Sequence, residues 1–425
     1  MKKSLIAFAA LSAVAGMAQA QDGVQLYGVL DAGVVQATNN ADVSPTFVTG
    51  VVPTGNLAKA PNVGTVLGVM NGGESATRWG IKGSEDLGQG RKAFFVLESG
   101  FSIANGTLNN AGLAGSSNVF SAADTSMNGQ LFGRQALVGL SDPHYGELQI
   151  GRVYNVSTDI ITGGYDPVNF QMFSPINFSG VYGGGGLTDN FRVDNSLKYI
   201  KSFGNYKFKY LHSFGGISNS YGARSSDQAS FGYENNRFGV QAAYEYTHDV
   251  SSLGNPADLA GTSTPIPNAV SAQFFDLRSF LLAGKYYINQ KFAVKGGYEL
   301  MMYSPASNYN SDKQLTSIYT YTLSATSQGY NKTDNVFWLG ADYDLTSRIK
   351  LSAGYYYISQ LPGAINGTQL NGTDRYASFA AEYYLSKRTN FYAAIMNDTK
   401  SGAIAAGTGY PSTFDTYGVG IRHMF

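Results

Sequence analysis

The chain has 425 residues, no cysteine, 52 glycines, 30 tyrosines and 25 phenylalanines, with 29 basic against 29 acidic residues. A charged fraction of 14% beside 13% aromatics excludes a disordered chain and argues against an ordinary cytosolic enzyme. Balanced charge excludes nucleic acid as a natural partner, and without cysteine there are no disulfide staples.

The amino terminus carries Lys2 and Lys3, an apolar run from Leu5 to Val14, and the small-residue exit Ala18-Gln19-Ala20. This pattern predicts a secretory signal over 1–20, leaving 21–425 as one domain with a charge of about −2, from 27 basic and 29 acidic residues. No later stretch of about 18 apolar residues occurs, which rules out a helical membrane protein. An exported chain without staples needs another source of stability, and a closed barrel supplies one through its unbroken hydrogen-bond ladder.

Period-two alternation then runs from end to end. Tyr206, Phe208, Tyr210 and Phe214 oppose Lys207, Lys209 and Ser213; Phe238, Val240, Ala242, Tyr244 and Tyr246 oppose Gln241, Glu245 and Thr247. Phe292, Val294, Tyr298 and Leu300 oppose Lys291, Lys295 and Glu299, and the same parity holds in 348–357 and 376–385. Sixteen strands are predicted, at about 23–36, 74–86, 90–104, 130–142, 145–156, 191–202, 204–217, 226–236, 237–250, 274–289, 290–304, 333–346, 347–360, 373–386, 387–399 and 414–425. Their lengths suit a tilted bilayer crossing of about 9–11 residues, and an even count suits a bacterial barrel.

Connections alternate in length. Short turns such as Leu87-Gly88-Gln89-Gly90, Asn289-Gln290 and Ser386-Lys387 lie on one side. Long polar stretches at 37–73, 105–129, 157–190, 251–273, 305–332 and 400–413 lie on the other, as expected of periplasmic turns against outer loops. The last strand puts Tyr417, Val419, Ile421 and Phe425 on one face, and its expected partner is the strand at 23–36. A secreted β-sandwich shares the alternation. The leader, the loop asymmetry and the aromatic carboxyl terminus decide for an all-β, antiparallel transmembrane barrel.

Catalytic and metal chemistry find no residues to carry them. His144, His212, His248 and His423 are scattered singly, whereas a zinc site needs three or four convergent ligands. No Gly-x-Ser-x-Gly elbow occurs, and the glycine run 183–186 lies in a long loop, not between a strand and a helix. Neither an enzyme nor a cofactor is predicted. What stands out is charge inside predicted strands. Arg78 shares parity with Lys82 and opposes Trp79 and Ile81; Arg134 opposes Leu137; Arg192 shares parity with Asp194, Ser196 and Lys198. A midplane arginine facing lipid costs about 2–4 kcal/mol, so these arginines are expected to point inward, and Asp31 and Glu98 with them.

Gln25-Leu-Tyr-Gly-Val-Leu-Asp-Ala-Gly33, Thr77-Arg-Trp-Gly-Ile-Lys-Gly-Ser-Glu-Asp-Leu-Gly88, Gly133-Arg-Gln-Ala-Leu-Val-Gly-Leu140, Leu148-Gln-Ile-Gly-Arg152, Arg192-Val-Asp-Asn-Ser-Leu-Lys-Tyr199 and terminal Phe425 resemble the trimeric general porins of the Gram-negative outer membrane, in particular the beta-proteobacterial branch. The resemblance spans 21–425. It implies a homotrimer of 16-stranded barrels, each with a water-filled pore narrowed by an inward-folded third extracellular loop, here 157–190. It implies an arginine wall at Arg78, Arg134 and Arg192, with Lys82 and Glu98 nearby, facing loop carboxylates among Asp159, Asp166 and Asp189. Asp166 fits the family best, although this chain reads Asp166-Pro-Val-Asn-Phe170 where many relatives have Pro-Glu-Phe-Gly-Gly.

The implied function is passive diffusion of ions and small hydrophilic solutes across the outer membrane. The implied partners are outer-membrane lipid, lipopolysaccharide and a barrel-assembly machinery that reads Tyr417 and Phe425. Arginines outnumber loop acids at the expected constriction, which predicts a modest preference for anions. The alternative is a substrate-specific channel for a sugar or an organic anion. It requires an aromatic ladder or dense single-sign charge, and Tyr356, Tyr384 and Tyr392 are too scattered to form one.

Overall fold

The computed structural model describes residues 23–41, 63–104, 106, 108, 131–178, 192–254, 269–308, 317–318, 321–327, 331–361, 364–365, 368–369, 371–402 and 412–425. The expected leader 1–20 and Asp189 lie outside the described residues.

Among the described residues, sixteen strands form a ring: β1 (Gln25–Ala41), β2 (Arg78–Gly88), β3 (Arg91–Gly100), β4 (Gln135–Asp142), β5 (Gly146–Tyr154), β6 (Arg192–Phe203), β7 (Tyr206–Ser213), β8 (Ser226–Glu234), β9 (Phe238–Gly254), β10 (Ala269–Asn289), β11 (Phe292–Pro305), β12 (Lys332–Asp344), β13 (Ile349–Leu361), β14 (Gly372–Tyr384), β15 (Thr389–Gly402) and β16 (Thr413–Met424). Each pairs antiparallel with the next. β16 pairs back onto β1 from Val29↔Met424 to Ala37↔Thr416, so the ring closes without a free edge. This is the all-β, 16-stranded antiparallel barrel expected from the strand pattern, the loop asymmetry and the aromatic carboxyl terminus.

The alternation sorts each strand into two faces. Val240, Tyr244, Leu282, Leu339, Tyr355, Phe379, Ile395 and Val419 are exposed, and with their neighbours they make the apolar outer face. Glu245, Lys295, Glu299, Ser352 and Glu382, at the alternate positions, are buried on the inner face. In a soluble protein so much exposed apolar surface is a liability; around a barrel it meets hydrocarbon.

Three local departures from strict alternation matter. A strand at Val63–Asn71, read as loop from sequence, pairs with the outer half of β1, from Ala32↔Asn71 to Ala41↔Val63. β2 pairs with the inner half of β1, so the six residues 72–77 are an insertion that leaves the sheet opposite Leu30 and Asp31. In β4 the expected register is corrected: Val138 and Leu140 are exposed, whereas Leu137 is buried and paired with Val96. Arg134 nevertheless turns inward, because it precedes the first strand residue and does not obey the strand's alternation. In β6, a register shift opposite Gly151–Val153 and the left-handed φ of 51° at Asn195 put Arg192 and Lys198 on opposite sides of a bulge. Both side chains still reach the inner wall, Arg192 on the Tyr154 ring and Lys198 on Asp159, with the irregular turn of backbone between them.

After Tyr154 the chain leaves the sheet. Asn155 caps α1 (Val156–Ile160), accepting from Thr158 N at 2.6 Å; a π-helical turn follows at Ile161–Tyr165, and α2 occupies Pro175–Phe178. The segment is apolar on the side that meets the wall. Ile160, Ile161, Tyr165, Phe170, Phe173 and Ile176 share one buried cluster with Leu211, Leu277, Leu281, Trp338 and Tyr356. At about 1.5–3 kcal/mol for each fully buried large side chain, this packing outweighs any single polar contact that the segment makes.

Candidate functional site

The cationic residues singled out in the sequence gather on the inner wall of β1–β6, and one carboxylate organises them. Tyr27, Gly80, Glu98 and Gln135 form a cross-strand row from β1 to β4. Arg134 Nε donates to Glu98 Oε1 at 2.7 Å, and Arg78 Nε approaches Oε2 at 3.4 Å. Tyr27 donates its hydroxyl to Oε2 at 3.1 Å, and Tyr154 donates to Oε1 at 3.2 Å. Arg134 Nη2 in turn donates to the Tyr154 oxygen at 2.8 Å, while Arg78 Nη1 donates to the Ala76 carbonyl at 2.9 Å.

The remaining two cations stack on the same tyrosines. The Arg192 guanidinium lies 5.5 Å from the Tyr154 ring centre, and Lys82 Nζ lies 5.0 Å from that of Tyr27. Among the described residues these four cations gather around one carboxylate, which makes the cluster net positive. Lys82 is exposed, and the Arg78 side chain is 26% exposed against 11% for Arg134, so Arg78 and Lys82 offer the most charge to water.

Of the expected loop carboxylates, Asp159 and Asp166 are described, and neither pairs with these arginines. Asp159 is held by Lys198 and Lys209, each with Nζ 2.6 Å from Oδ2. Burial pushes its carboxyl up, but the two ammonium groups more than offset this and hold it below its ordinary value. Asp166 is fully buried, accepts from the Tyr356 hydroxyl at 2.6 Å, and takes Lys295 Nζ on its backbone carbonyl at 3.3 Å. Burial holds the Asp166 carboxyl above its ordinary value. Asp159 is thus neutralised by lysines of β6 and β7, beside the arginines and not opposite them, and Asp166 is bound to β11 and β13. Among the described residues 155–178, Thr162, Gly163 and Asn169 are exposed, all uncharged.

Asp31 is likewise a fastener. It is fully buried, accepts from Glu74 N at 3.0 Å, Ser75 N at 2.7 Å and the Tyr392 hydroxyl at 2.6 Å, and so holds the insertion 72–77. That insertion receives the end of the inner segment, Gln171 N donating to Glu74 O and Met172 N to Gly73 O, both at 3.1 Å. Glu74 also pairs with Arg422 of β16 and accepts from Asn390 at 2.6 Å. Tyr417 and Phe425 sit on the exposed outer face, and Phe425 exchanges both backbone hydrogen bonds with Gly28 at 3.1 Å.

Sequence reasoning missed Tyr27, Tyr154, Trp338, Lys198 and Lys209 as members of the site. Trp338 Nε1 donates to the Tyr165 carbonyl at 3.0 Å. Lys198 and Lys209 carried a legible signal, lying at inward parity among apolar neighbours. Tyr27 and Tyr154 carried none, since their roles depend on Glu98, distant in sequence.

A family model described as Gram-negative porin matches residues 7–403. An outer membrane porin protein of Bordetella pertussis is 28% identical over 459 residues, covering 100% of both chains. An anion-selective porin from Comamonas acidovorans superposes with a TM-score of 0.63 at 19% identity, covering 95% of this chain and 100% of that one. The trimer form of OmpT from Vibrio cholerae gives a TM-score of 0.57 at 15% identity, covering 95% of this chain and 99% of that one.

Proposed function

The chain belongs to the Gram-negative porin family and is an outer-membrane channel for small solutes, and we propose that its channel prefers anions and is narrowed between the β1–β6 wall and the segment 155–178. One observation carries this reading: among the described residues four cations, Arg78, Lys82, Arg134 and Arg192, gather on Glu98 and the two tyrosines bonded to it, while Asp159 is neutralised by Lys198 and Lys209 and Asp166 is bound to Tyr356. A solute between wall and segment meets net positive charge on one side and uncharged groups on the other. In water a unit charge 4 Å away is worth about 1 kcal/mol, or roughly fivefold in population, so the preference is graded and not absolute.

Salt weakens it, because the Debye length at 0.1 M is about 10 Å. The working form is a homotrimer, as in the trimer form of the Vibrio cholerae relative, and residues 1–20 are an export signal. A substrate-specific channel has less support: the inward tyrosines 356 and 392 are spent on Asp166 and Asp31 and form no ladder.

The test is single-channel current of the purified protein in asymmetric salt, before and after Arg134→Ala. Loss of this cation is expected to lower the anion-to-cation permeability ratio by about two- to fivefold. An unchanged ratio would remove the wall from the account.

A further inference from the structure

Within the wall, the four cations are not independent charges. Each touches either Glu98 or a tyrosine bonded to Glu98. Arg134 and Arg78 reach its two oxygens directly; Arg192 stacks on Tyr154 and Lys82 on Tyr27. The carboxylate's side chain is 7% exposed, so it offers permeating ions little direct contact, and its four close partners leave it no spare direction. Gly80 lies directly between Tyr27 and Glu98 in the cross-strand row. A Cβ there would sit 2.7 Å from Tyr27 Cζ, so the missing side chain is what lets the phenol cross β2 to reach the carboxylate.

We propose that Glu98, wired through Tyr27 and Tyr154, is the positioning residue of the cationic wall, fixing where each cation stands and setting how strongly anions are preferred. The inference rests on the reading of this wall as the narrow part of the channel. Tyr154 matters because it ties three groups: its hydroxyl joins Arg134 Nη2 to Glu98 Oε1, and its ring carries Arg192. Without the hydroxyl, the second arm of Arg134 is free to close on Glu98, since guanidinium and carboxylate favour the bidentate pair. Arg134 would then withdraw from the solute path although no charge has been removed.

A charge-neutral substitution separates positioning from charge. Reversal potentials of the full-length protein in planar bilayers, under a tenfold potassium chloride gradient, are compared for wild type, Tyr154→Phe and Glu98→Gln, with heat resistance of the assembled protein measured alongside. Tyr154→Phe is expected to lower the anion-to-cation permeability ratio by about twofold with heat resistance retained, and Glu98→Gln to raise it by at least as much. In the double variant the tyrosine effect should shrink, because its carboxylate partner is gone.

A Tyr154→Phe ratio equal to wild type, or strictly additive effects in the double variant, would overturn the proposal. If Tyr154→Phe does not assemble, Tyr27→Phe puts the same question to the other oxygen and is read by the same criteria. Absence of anion preference in the wild type, by contrast, would fail the reading of the wall itself.

Discussion

At the scale of single residues, the site is built from small contacts whose logic is steric as much as electrostatic. Gly80 makes room for the Tyr27 ring, and the facing pair Gly340 and Gly354 makes a slot for Pro167, whose Cβ would lie 2.5 Å from a side chain at 340. Gly80→Ala should therefore push Tyr27 off Glu98. The overpacking costs about 1–3 kcal/mol, read as a lower unfolding midpoint, and the reversal potential should shift with it. An unshifted reversal potential would mean that Tyr27 has no part in selectivity. Much of this was legible in the sequence. Arg78, Lys82 and Glu98 follow strand parity to the inner wall. Arg134 reaches it only because it stands one residue before its strand, and Arg192 stands across a bulge that alternation could not reveal.

At the scale of elements, the segment 155–178 is held at both ends by different chemistry. Its start rests on Asp159 between two lysines, and its end rests on Asp166, Pro167 and the insertion 72–77. The two acids respond to pH in opposite senses. Asp159 has a depressed value, so its contribution is present above the ordinary carboxylate value of about 3.9 and is lost as pH falls through the folded-state value. Asp166 has a raised value; the protonated form is favoured in the fold, and its contribution is lost as pH rises through that value. Acid should therefore loosen the start of the segment while leaving the Asp166 end in place.

Asp159→Asn should mimic this at neutral pH, at a cost of roughly 3 kcal/mol for leaving Lys198 and Lys209 unpaired. Limited proteolysis is expected to gain cuts near 156–165 and none near 166–173; a cleavage pattern like that of wild type would contradict the role given to this ion pair. The strand at Val63–Asn71 was hidden in the sequence because the insertion 72–77 separates it from β2, and a window centred on that glycine-rich turn reads as loop.

At the scale of the whole molecule, closure joins strands from opposite ends of the chain, and the junction is fastened on both faces. On the inner face, Asp31 of β1 meets Tyr392 of β15, and Glu74 meets Arg422 of β16. On the outer face, Phe425 crosses to Gly28 through two backbone bonds, with its ring covering the glycine. Phe425→Ala is accordingly expected to lower the yield of assembled protein several-fold while leaving the conductance of the channels that do form unchanged. Undiminished yield would show that the ring is dispensable for closure. The alternation marked the strands, because lipid outside and water inside impose opposite demands on successive residues, and the loop asymmetry and aromatic carboxyl terminus were needed to choose a barrel over a sandwich.

The destination of the loop acids was not legible, since it depends on which wall the segment leans against. That single difference moves the expected field from opposed rows of charge to one positive wall. The most direct test is the reversal potential of the purified wild-type protein in a planar bilayer under a salt gradient, repeated as the mean salt concentration is raised. A positive wall gives an anion-selective sign at about 0.1 M that shrinks toward zero near 1 M, where the Debye length falls to about 3 Å. A cation-selective sign, or a preference that does not weaken with salt, would contradict it.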